Sequence, residues 1–421
     1  MNSDFKKIIS TSGINFLFRI FGLTMSFVTS IMIVRLFGLD VSGRYSIVFT
    51  ISQAAAMLLA LGIPNAMVMI VGNNRLDMGQ AKKLLIQGLR VTLLFAALPS
   101  LFFFFGSDFI AVKLYDDKEL INYFLMLIIS LPLFIFHELF LYFFIATKKF
   151  IKYGLLMFVL PNVLLAVFLY LFYKLGYRGH FSFLAFALSI GLVVLIEAFL
   201  VFDLKPSKKE NILSTNELIK TASPMMFSGL FLFLLNWTDV LILGTMVDKT
   251  QVGIYYNAFR AGSVGSLVII SVNLIIMPKM AELYGKGNLS DFKKLVNNTT
   301  RIVAGLSVPV TAGLILMAPF ILSFFDEQAV EGAETMIIIA VGVFVSAALG
   351  NVDQILNMSG NARIFRNISL ACFFVNIVLN YYLIPLYGIN GSAWASLITN
   401  VLLNVVCVLY IKKKLGFYTF A

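Results

Sequence analysis

The sequence is poor in the residues that build metal sites and soluble surfaces. It has two cysteines and two histidines among 421 residues, and only 13% of its residues are charged. Cys372 and Cys407 both lie in apolar segments, where we expect them to fill space as small hydrophobes. His137 and His180 are too few and too far apart in the chain to predict a metal site. We therefore predict neither a bound metal nor a soluble domain of ordinary composition.

Signatures of catalysis are missing as well. The sequence has no G-x-x-x-x-G-K-[ST] loop, which predicts that the chain does not hydrolyse nucleotide itself. It has no Ser–His–Asp set on a soluble face, and no large loop of the kind that a membrane-embedded glycosyltransferase or polymerase would carry. We predict a carrier rather than an enzyme, with no cofactor and with a proton or sodium gradient as its driving force. A membrane-embedded transferase is a distant alternative.

Apolar residues dominate what is present. They make up 60% of the chain, and the mean hydropathy is +0.93. A membrane-spanning helix needs about 20 consecutive apolar residues, and such windows recur along the whole sequence. The fold class is therefore predicted to be all-α integral membrane with about twelve transmembrane helices. The predicted spans are 13–36, 44–72, 84–106, 120–147, 153–173, 182–202, 222–247, 251–278, 299–324, 333–359, 367–387 and 391–411.

The chain repeats itself a little over two hundred residues apart, which indicates a duplication. The matching segments are Gly43-Arg44-Tyr45 with Gly253-Ile254-Tyr255, Gly79–Leu84 with Ser290–Leu295, and Arg90 with Arg301. Duplicated helical bundles are a common architecture of secondary transporters. We predict two pseudo-symmetric six-helix lobes around a central cavity, with the first lobe at 1–206, a cytoplasmic linker at 207–213 and the second lobe at 214–421.

Basic residues gather on one set of predicted connections. Lys and Arg number 32 against 21 Asp and Glu, and most basic residues between spans share a side with both termini. The positive-inside rule assigns this side to the cytoplasm. The acidic pairs Asp116-Asp117 and Asp326-Glu327 fall on the opposite side. The net charge of +11 therefore reflects topology and attraction to anionic lipid headgroups, and we predict no nucleic-acid partner.

Polar residues in the first predicted span form a stripe. An ionised group in hydrocarbon costs roughly 2.5–3.5 kcal/mol on insertion scales, so each one needs a reason. Asn15, Arg19 and Gly22 recur at helical spacing, and the stripe continues through Ser26 and Ser30. This spacing predicts that Arg19 faces a wet or protein-lined interior. Snorkelling of Arg19 to the cytoplasmic surface is the alternative.

The seventh and eighth spans carry a second polar set. Asn236 and Asp239 lie three residues apart on one face of the seventh span, and Asn257 and Arg260 do the same on the eighth. The hairpin between these spans brings Asp239 and Arg260 to similar depth. Two interpretations stay open: the two residues form a buried ion pair, or Arg260 faces the cavity and Asp239 holds it in place.

Three carboxyl groups inside predicted spans are candidates for carrying the coupling ion. They are Asp239, Asp353 and Glu138. Asp353 shares a stripe with Ser346 and Gly350 in the tenth span, and Glu138 follows a histidine in the fourth. Ionisable residues within the membrane commonly form proton relays or ion pathways. We therefore treat all three as coupling-ion candidates.

Several segments, taken in their order along the chain, resemble a known family. They are Val34–Asp40 with Gly43-Arg44-Tyr45, Leu61–Ala66, Asp239–Gly244 with Val252–Tyr255, and Asn376 and Asn380 with Ile384-Pro385 and Tyr387–Ala393. These segments resemble the polysaccharide exporters, which are O-antigen-type flippases of the multidrug/oligosaccharidyl-lipid/polysaccharide superfamily. The resemblance covers nearly the whole chain.

The resemblance implies a multi-pass protein of the bacterial inner membrane that moves undecaprenyl-pyrophosphate-linked oligosaccharide to the periplasmic leaflet. Such flippases serve O-antigen or capsule-like polysaccharide synthesis, and a polysaccharide polymerase and a chain-length regulator are implied partners beside membrane lipids. Relatives use a cationic cavity, which Arg19 and Arg260 would supply here, because arginine binds pyrophosphate oxygens well. The wet groove for the sugar would draw on Gln53 and on Asn15, Asn236 and Asn257.

An ion-coupled multidrug or small-molecule exporter is the alternative function. The carboxyl groups of Asp239, Asp353 and Glu138 motivate it. The arginines inside the membrane favour an anionic cargo over a cationic drug.

Overall fold

The computed structural model describes the backbone of residues 3–73, 76–203 and 214–420. Within these ranges the side chains are described except at residues 3–13, 73, 97–100, 224–225, 227–232, 235–236, 274–275, 278 and 281. The predicted linker at 207–213 lies outside the described residues. The chain divides into two compact units, Met1–Leu230 and Phe231–Ala421, and the predicted lobe boundaries stay predictions.

The described elements of the first unit are helices. They are α1 (Ser3–Phe37), α2 (Leu39–Leu59), α3 (Ile63–Asn73), α4 (Met78–Asp108), α5 (Leu120–Ala146), α6 (Phe150–Gly154), α7 (Leu160–Lys174), α8 (Phe181–Phe202) and the first part of α9 (Thr215–Met246). Turns of π-helix at Phe109–Leu114 and Leu155–Val159 extend α4 and join α6 to α7. Helix α5 packs against α4, α8, α2 and α3, and it buries Phe124, Phe143 and Phe144 completely.

The second unit continues with the rest of α9 and seven further helices. These are α10 (Lys249–Gly262), α11 (Ser266–Gly285), α12 (Leu289–Leu316), α13 (Ala318–Ser323), α14 (Ala333–Leu349), α15 (Val352–Met358) and α16 (Ala362–Leu415). Helix α14 packs against α10, α12 and α16. A hydrophobic core around Phe292, Val296 and Ile355 joins α11, α12, α15 and α16, and Phe417 from the segment after α16 packs into it.

Helices α4 and α12, which contain the third predicted span of each half, begin in the same way, as the sequence repeat suggests. Asp77 precedes α4, and its Oδ1 accepts a hydrogen bond of 2.8 Å from the Gln80 backbone amide, while Gln80 Oε1 accepts from the Asp77 backbone amide at 3.2 Å. Asn288 precedes α12, and its Oδ1 accepts from the Asp291 amide at 3.1 Å. These caps satisfy amides that the first helical turn leaves without partners. The repeated sequence thus encodes the same helix start twice.

Eight helices within the described ranges are long and apolar enough to cross a membrane, and the chain is a multi-pass membrane protein. The number is nine if Leu39–Leu59 and Ile63–Gly72, which meet at a bend of 45°, form one span. The predicted number of twelve stays a prediction. Helix α16 accounts for part of the difference, because its 54 residues include both predicted spans 367–387 and 391–411.

Two glycines break helices at positions that matter for the polar residues. Gly388 has φ of 57° and ψ of −135° inside α16, a conformation that side chains with a Cβ rarely adopt. Gly350 has φ of 90° and separates α14 from α15. The predicted stripe from Ser346 to Asp353 is therefore not one continuous helical face. That prediction is wrong because it assumed an unbroken helix over 333–359.

Candidate functional site

A buried carboxyl group in α9 is the centre of the most connected polar cluster in the described part of the second unit. The Asp239 residue is only 1% exposed. The Tyr255 hydroxyl donates to its Oδ2 at 2.8 Å, and the Asn380 amide donates to its Oδ1 at 2.8 Å. The Ser396 hydroxyl also donates to Oδ2. Three neutral donors from α10 and from both arms of α16 therefore surround one acidic group, which we call the Asp239 cluster.

The break at Gly388 builds this cluster. It lets the second arm of α16 fold back along the first, and the arms come so close that a Cβ on Gly391 would collide with the Leu383 carbonyl oxygen. This approach brings the Ser392 hydroxyl within 2.6 Å of Asn380 Oδ1, to which it donates. Asn380 is thereby fixed with its amide nitrogen towards Asp239. Gly388 and Gly391 thus position the groups that donate hydrogen bonds to the Asp239 carboxylate.

The chemistry of the cluster suits a proton or a small hard cation. Among the described residues, the ion pairs of the second unit do not include Asp239. A buried carboxylate with neutral donors alone is incompletely compensated. Oxygen atoms of Asp239, Asn376, Asn380 and Ser392 lie in the same network, and such oxygens are ligands of hard cations. Either a proton or a cation would neutralise the buried charge.

A cavity of about 280 Å³ lies beside the Asp239 cluster in the second unit. Ser396 and Asn376 belong to both, since each lines the cavity and takes part in the network around Asp239. Aromatic rings of Trp237 and Phe259 form another part of the wall, with their centroids 5.5 Å apart. The carboxyl group is therefore one side chain removed from a cavity large enough for a small ligand.

The ion pair between Asp239 and Arg260, one of the two interpretations of this hairpin, is not among the described contacts, and a cavity-facing Arg260 stays a prediction. Tyr255, not Arg260, reaches Asp239 from α10. At about 100° per residue, positions 255 and 260 point some 140° apart around a helix, so one face cannot present both to Asp239. Arg260 instead lies over the Tyr256 ring at 5.6 Å. Asn257 is fully buried and donates to the Gly253 carbonyl of its own helix at 2.8 Å.

The stripe of α1 packs within the first unit. A Cβ on Gly154 of α6 would collide with Asn15 Oδ1, and the Arg19 guanidinium lies 5.9 Å from the centroid of the Phe158 ring. Gly22 also lies against Phe158. The prediction of a protein-lined environment agrees with these contacts, while the role of Arg19 in a central cavity stays a prediction.

A histidine–glutamate pair in the first unit was not predicted. His137 Nδ1 of α5 lies 3.0 and 3.1 Å from the two carboxyl oxygens of Glu197 in α8. His137 is 5% exposed and Glu197 is not exposed at all. Only the pairing of α5 with α8, sixty residues apart, brings the two groups together.

The other predicted site residues are not among the described hydrogen-bond partners of Asp239. Asp353 lies in the first turn of α15, and its Oδ2 accepts from the Gln354 side-chain amide at 2.8 Å. Glu138 is half-buried on α5 of the first unit, and Gln53 is half-buried on α2. The side chain of Asn236 lies outside the described residues. Among the described residues no group of three or more His, Cys, Asp or Glu could hold a metal ion.

Two family models match the sequence. Residues 6–284 match the model described as polysaccharide biosynthesis protein, and residues 224–382 match the model MatE. The probable flippase AglR of Haloferax volcanii is 26% identical over 187 residues, which cover 42% of this chain and 38% of AglR. The probable low-salt glycan biosynthesis flippase Agl15 of the same organism is 24% identical over 217 residues, which cover 51% of this chain and 45% of Agl15. The chain thus spans less than half the length of these two relatives.

Solved structures share the fold. An inward-facing multidrug resistance MATE family transporter of the MOP superfamily superposes with a TM-score of 0.80 at 16% identity, covering 94% of each chain. The lipid II flippase MurJ in an inward closed conformation gives a TM-score of 0.77 at 14% identity, covering 96% of this chain and 87% of MurJ. The predicted all-α membrane fold class is confirmed.

Proposed function

Because the chain belongs to the polysaccharide biosynthesis protein family, we propose that it is a flippase for lipid-linked oligosaccharide. The cargo would be undecaprenyl-pyrophosphate-linked repeat units, and the membrane would be the bacterial inner membrane with both termini in the cytoplasm. The single observation that carries this proposal is the match of the family model over residues 6–284. The product would be an O-antigen or a capsule-like surface polysaccharide.

The relatives support a carrier rather than an enzyme. Two curated relatives are named as probable flippases, and a third, CapF of Staphylococcus aureus, is named as a capsular polysaccharide biosynthesis protein. CapF is 21% identical over 237 residues, which cover 55% of this chain and 60% of CapF. A polysaccharide polymerase and a chain-length regulator would be its partners, together with the surrounding lipids.

Transport would be driven by an ion gradient through Asp239. The carboxyl group is buried, it accepts three neutral hydrogen bonds, and it borders a cavity. Uptake or release of a proton or sodium ion there would change the charge at a junction of α9, α10 and α16. Asp353 and Glu138 are the other candidates, and neither has a comparable set of described donors.

The test is reconstitution of the purified chain into liposomes with defined lipid-linked oligosaccharides. We expect cargo in the inner leaflet to become accessible to an enzyme added outside, and to do so faster with an imposed ion gradient. Empty liposomes and a phosphate-free lipid glycoside are the controls. Exposure of the cargo at the rate of empty liposomes would refute the flippase proposal.

The arginines give a residue-level prediction. Replacing Arg19 or Arg260 by alanine should reduce flipping of the pyrophosphate-linked cargo at least about tenfold, since a charge-assisted hydrogen bond contributes roughly 1.5–3 kcal/mol. Lysine keeps the charge but loses the bidentate fork, so its loss should be smaller. The measurement is the flipping rate at matched protein content. Full activity of Arg19→Ala would remove that residue from the cargo site.

An ion-coupled small-molecule exporter is a second candidate, which the MatE match over 224–382 favours. The probable multidrug resistance protein NorM of Bacillus thuringiensis is 25% identical over 208 residues, which cover 47% of this chain and 45% of NorM. Drug susceptibility of a deletion strain separates the two candidates. Increased susceptibility with normal surface polysaccharide would favour the exporter.

A further inference from the structure

The cavity beside the Asp239 cluster has a lining that is polar but uncharged. Trp237 and Phe259 contribute aromatic faces, and hydroxyl or amide groups come from Ser263, Ser266 and Asn400, with no Asp, Glu, Lys or Arg in the described lining. Concave sites with apolar walls and a few convergent polar groups are typical of small-molecule binding. The composition therefore suits a neutral ligand with an apolar face and several hydroxyl groups.

One buried polar atom on the cavity wall lacks a partner among the described residues. Thr399 is 2% exposed, and its Oγ1 has no hydrogen-bond partner. Burying such a group without a partner costs about 1–3 kcal/mol. A ligand hydroxyl can both donate and accept, so it would satisfy this atom.

The size of the cavity indicates the kind of ligand. Its volume of about 280 Å³ lies near the lower end of the about 300–1,000 Å³ that small-molecule pockets usually measure. The cavity is therefore large enough for one ring with its substituents.

We propose that this cavity binds one neutral sugar ring of the cargo. The proposal rests on the proposed function, which supplies a sugar-bearing cargo. The Trp237 and Phe259 rings would pack against the apolar face of the sugar, and Thr399, Asn376 and the serines would bind its hydroxyl groups. A sugar that carries a carboxylate is disfavoured, because Asp239 lies directly behind Ser396 and no described cation lines the cavity.

Ser396 links the cavity to the acidic group. Its hydroxyl donates to Asp239 Oδ2 and at the same time lines the cavity. When a proton or cation neutralises Asp239, the hydroxyl is no longer required there and can turn to a ligand. Binding of the sugar and of the coupling ion would then affect each other, and this coupling is reciprocal by linkage.

The chain offers a built-in reporter for the test. It contains two tryptophans, Trp237 in the cavity wall and Trp394, which is 42% exposed on α16 and outside the lining. In the Trp394→Phe variant, Trp237 is the sole tryptophan of the 421-residue chain. Titration of this variant in nanodiscs with methyl glycosides of neutral hexoses should change its emission in a saturable way. Glucuronic acid should give no saturable change, and the Trp237→Phe variant should not respond to either.

The Thr399→Val substitution tests the site without changing side-chain shape. We expect it to weaken binding of the neutral glycoside roughly three- to tenfold. Thr299→Val is the matched control, because Thr299 is equally buried, its hydroxyl already donates to the Leu295 carbonyl, and it does not line the cavity. No response of Trp237 to neutral glycosides, or equal affinity in the Thr399 and Thr299 variants, would overturn the proposal and leave a water-filled cavity.

A second arm distinguishes this proposal from the proposed function. Nanodiscs that contain lipid-linked oligosaccharide should give the same Trp237 response, and flipping by Thr399→Val should be slower than by the parent chain. If the parent flips cargo and Thr399→Val flips it equally fast, the cavity proposal fails while the flippase proposal stands. If free glycosides bind but the parent does not flip cargo, the flippase proposal fails and the cavity serves a free sugar instead.

Discussion

Replacing Asp239 by asparagine is expected to abolish gradient-driven transport. Asparagine has the same shape, and its amide oxygen can accept from Tyr255 and Ser396, but its amide nitrogen would face the Asn380 amide donor, and it cannot bind a proton or supply a charge to a cation. Replacing a residue that only orients the ligands of a metal typically costs about 10–100-fold in metal affinity. Replacing the charged ligand itself, the Asp239 carboxylate, should therefore lower the affinity for the coupling ion at least about 100-fold. The measurement is the flipping rate with and without an ion gradient.

Two opposing effects act on the stability of this variant. Asp239 is 1% exposed and its described partners are neutral, so removing its charge removes a desolvation cost. The Asn380 amide loses its acceptor, which costs about 1–3 kcal/mol. The control is Asp248→Asn. Asp248 is also an aspartate and lies nine residues further along the chain. It caps α10, because its Oδ1 accepts from the Gln251 backbone amide at 2.9 Å. Asparagine caps helices as well as aspartate does, so transport should persist. Gradient-driven transport by Asp239→Asn at the parent rate would exclude Asp239 as the coupling group.

Replacing His137 by leucine should destabilise the protein by about 1–3 kcal/mol. The change leaves the fully buried Glu197 carboxyl group without its described partner, and leaving a buried polar group unsatisfied costs about this much. The double variant His137→Leu with Glu197→Leu should recover most of the loss, because no unsatisfied polar group of the pair remains. The measurement is thermal unfolding of the detergent-solubilised protein, completed as a double-mutant cycle.

His180 provides the matched control for this cycle. It is the other histidine of the chain, half-buried at the start of α8, and its described contacts are with aromatic rings. His180→Leu should change stability by no more than about 1 kcal/mol. A His137→Leu variant as stable as His180→Leu would show that the pair carries no net stabilisation, and an equal loss in the single and double variants would assign the effect to packing.

The Asp239 cluster shows which parts of a site the sequence can reveal. Asp239 stands out in the sequence because a carboxyl group inside an apolar run is costly and needs a reason. Its partners do not stand out in the same way. Asn380 and Ser396 lie 141 and 157 residues further along the chain. Helical periodicity relates residues only within one helix, so it could not predict these contacts with Asp239. The sequence marks the charged group, and the packing of α16 selects its ligands.

The position of Arg260 away from Asp239 has a related cause. Equal depth in a hairpin makes a contact possible, but rotation around each helix axis decides which residues meet. Tyr255 and Arg260 are on different faces of α10, and packing against α9 and α16 turns Tyr255 towards Asp239. The same reasoning applies to Glu197, whose partner depends on the contact between α5 and α8.

By itself the sequence determined that this protein is helical and embedded in a membrane, because apolar runs of spanning length leave no other way to satisfy backbone groups in lipid. It also determined where helices begin, through local caps such as Asp77 and Asn288. The tertiary structure alone decided the break at Gly350, the pairing of His137 with Glu197, and the ligands of Asp239. Local patterns act over one or two turns of helix, whereas these contacts join side chains that only long-range packing brings within hydrogen-bonding distance.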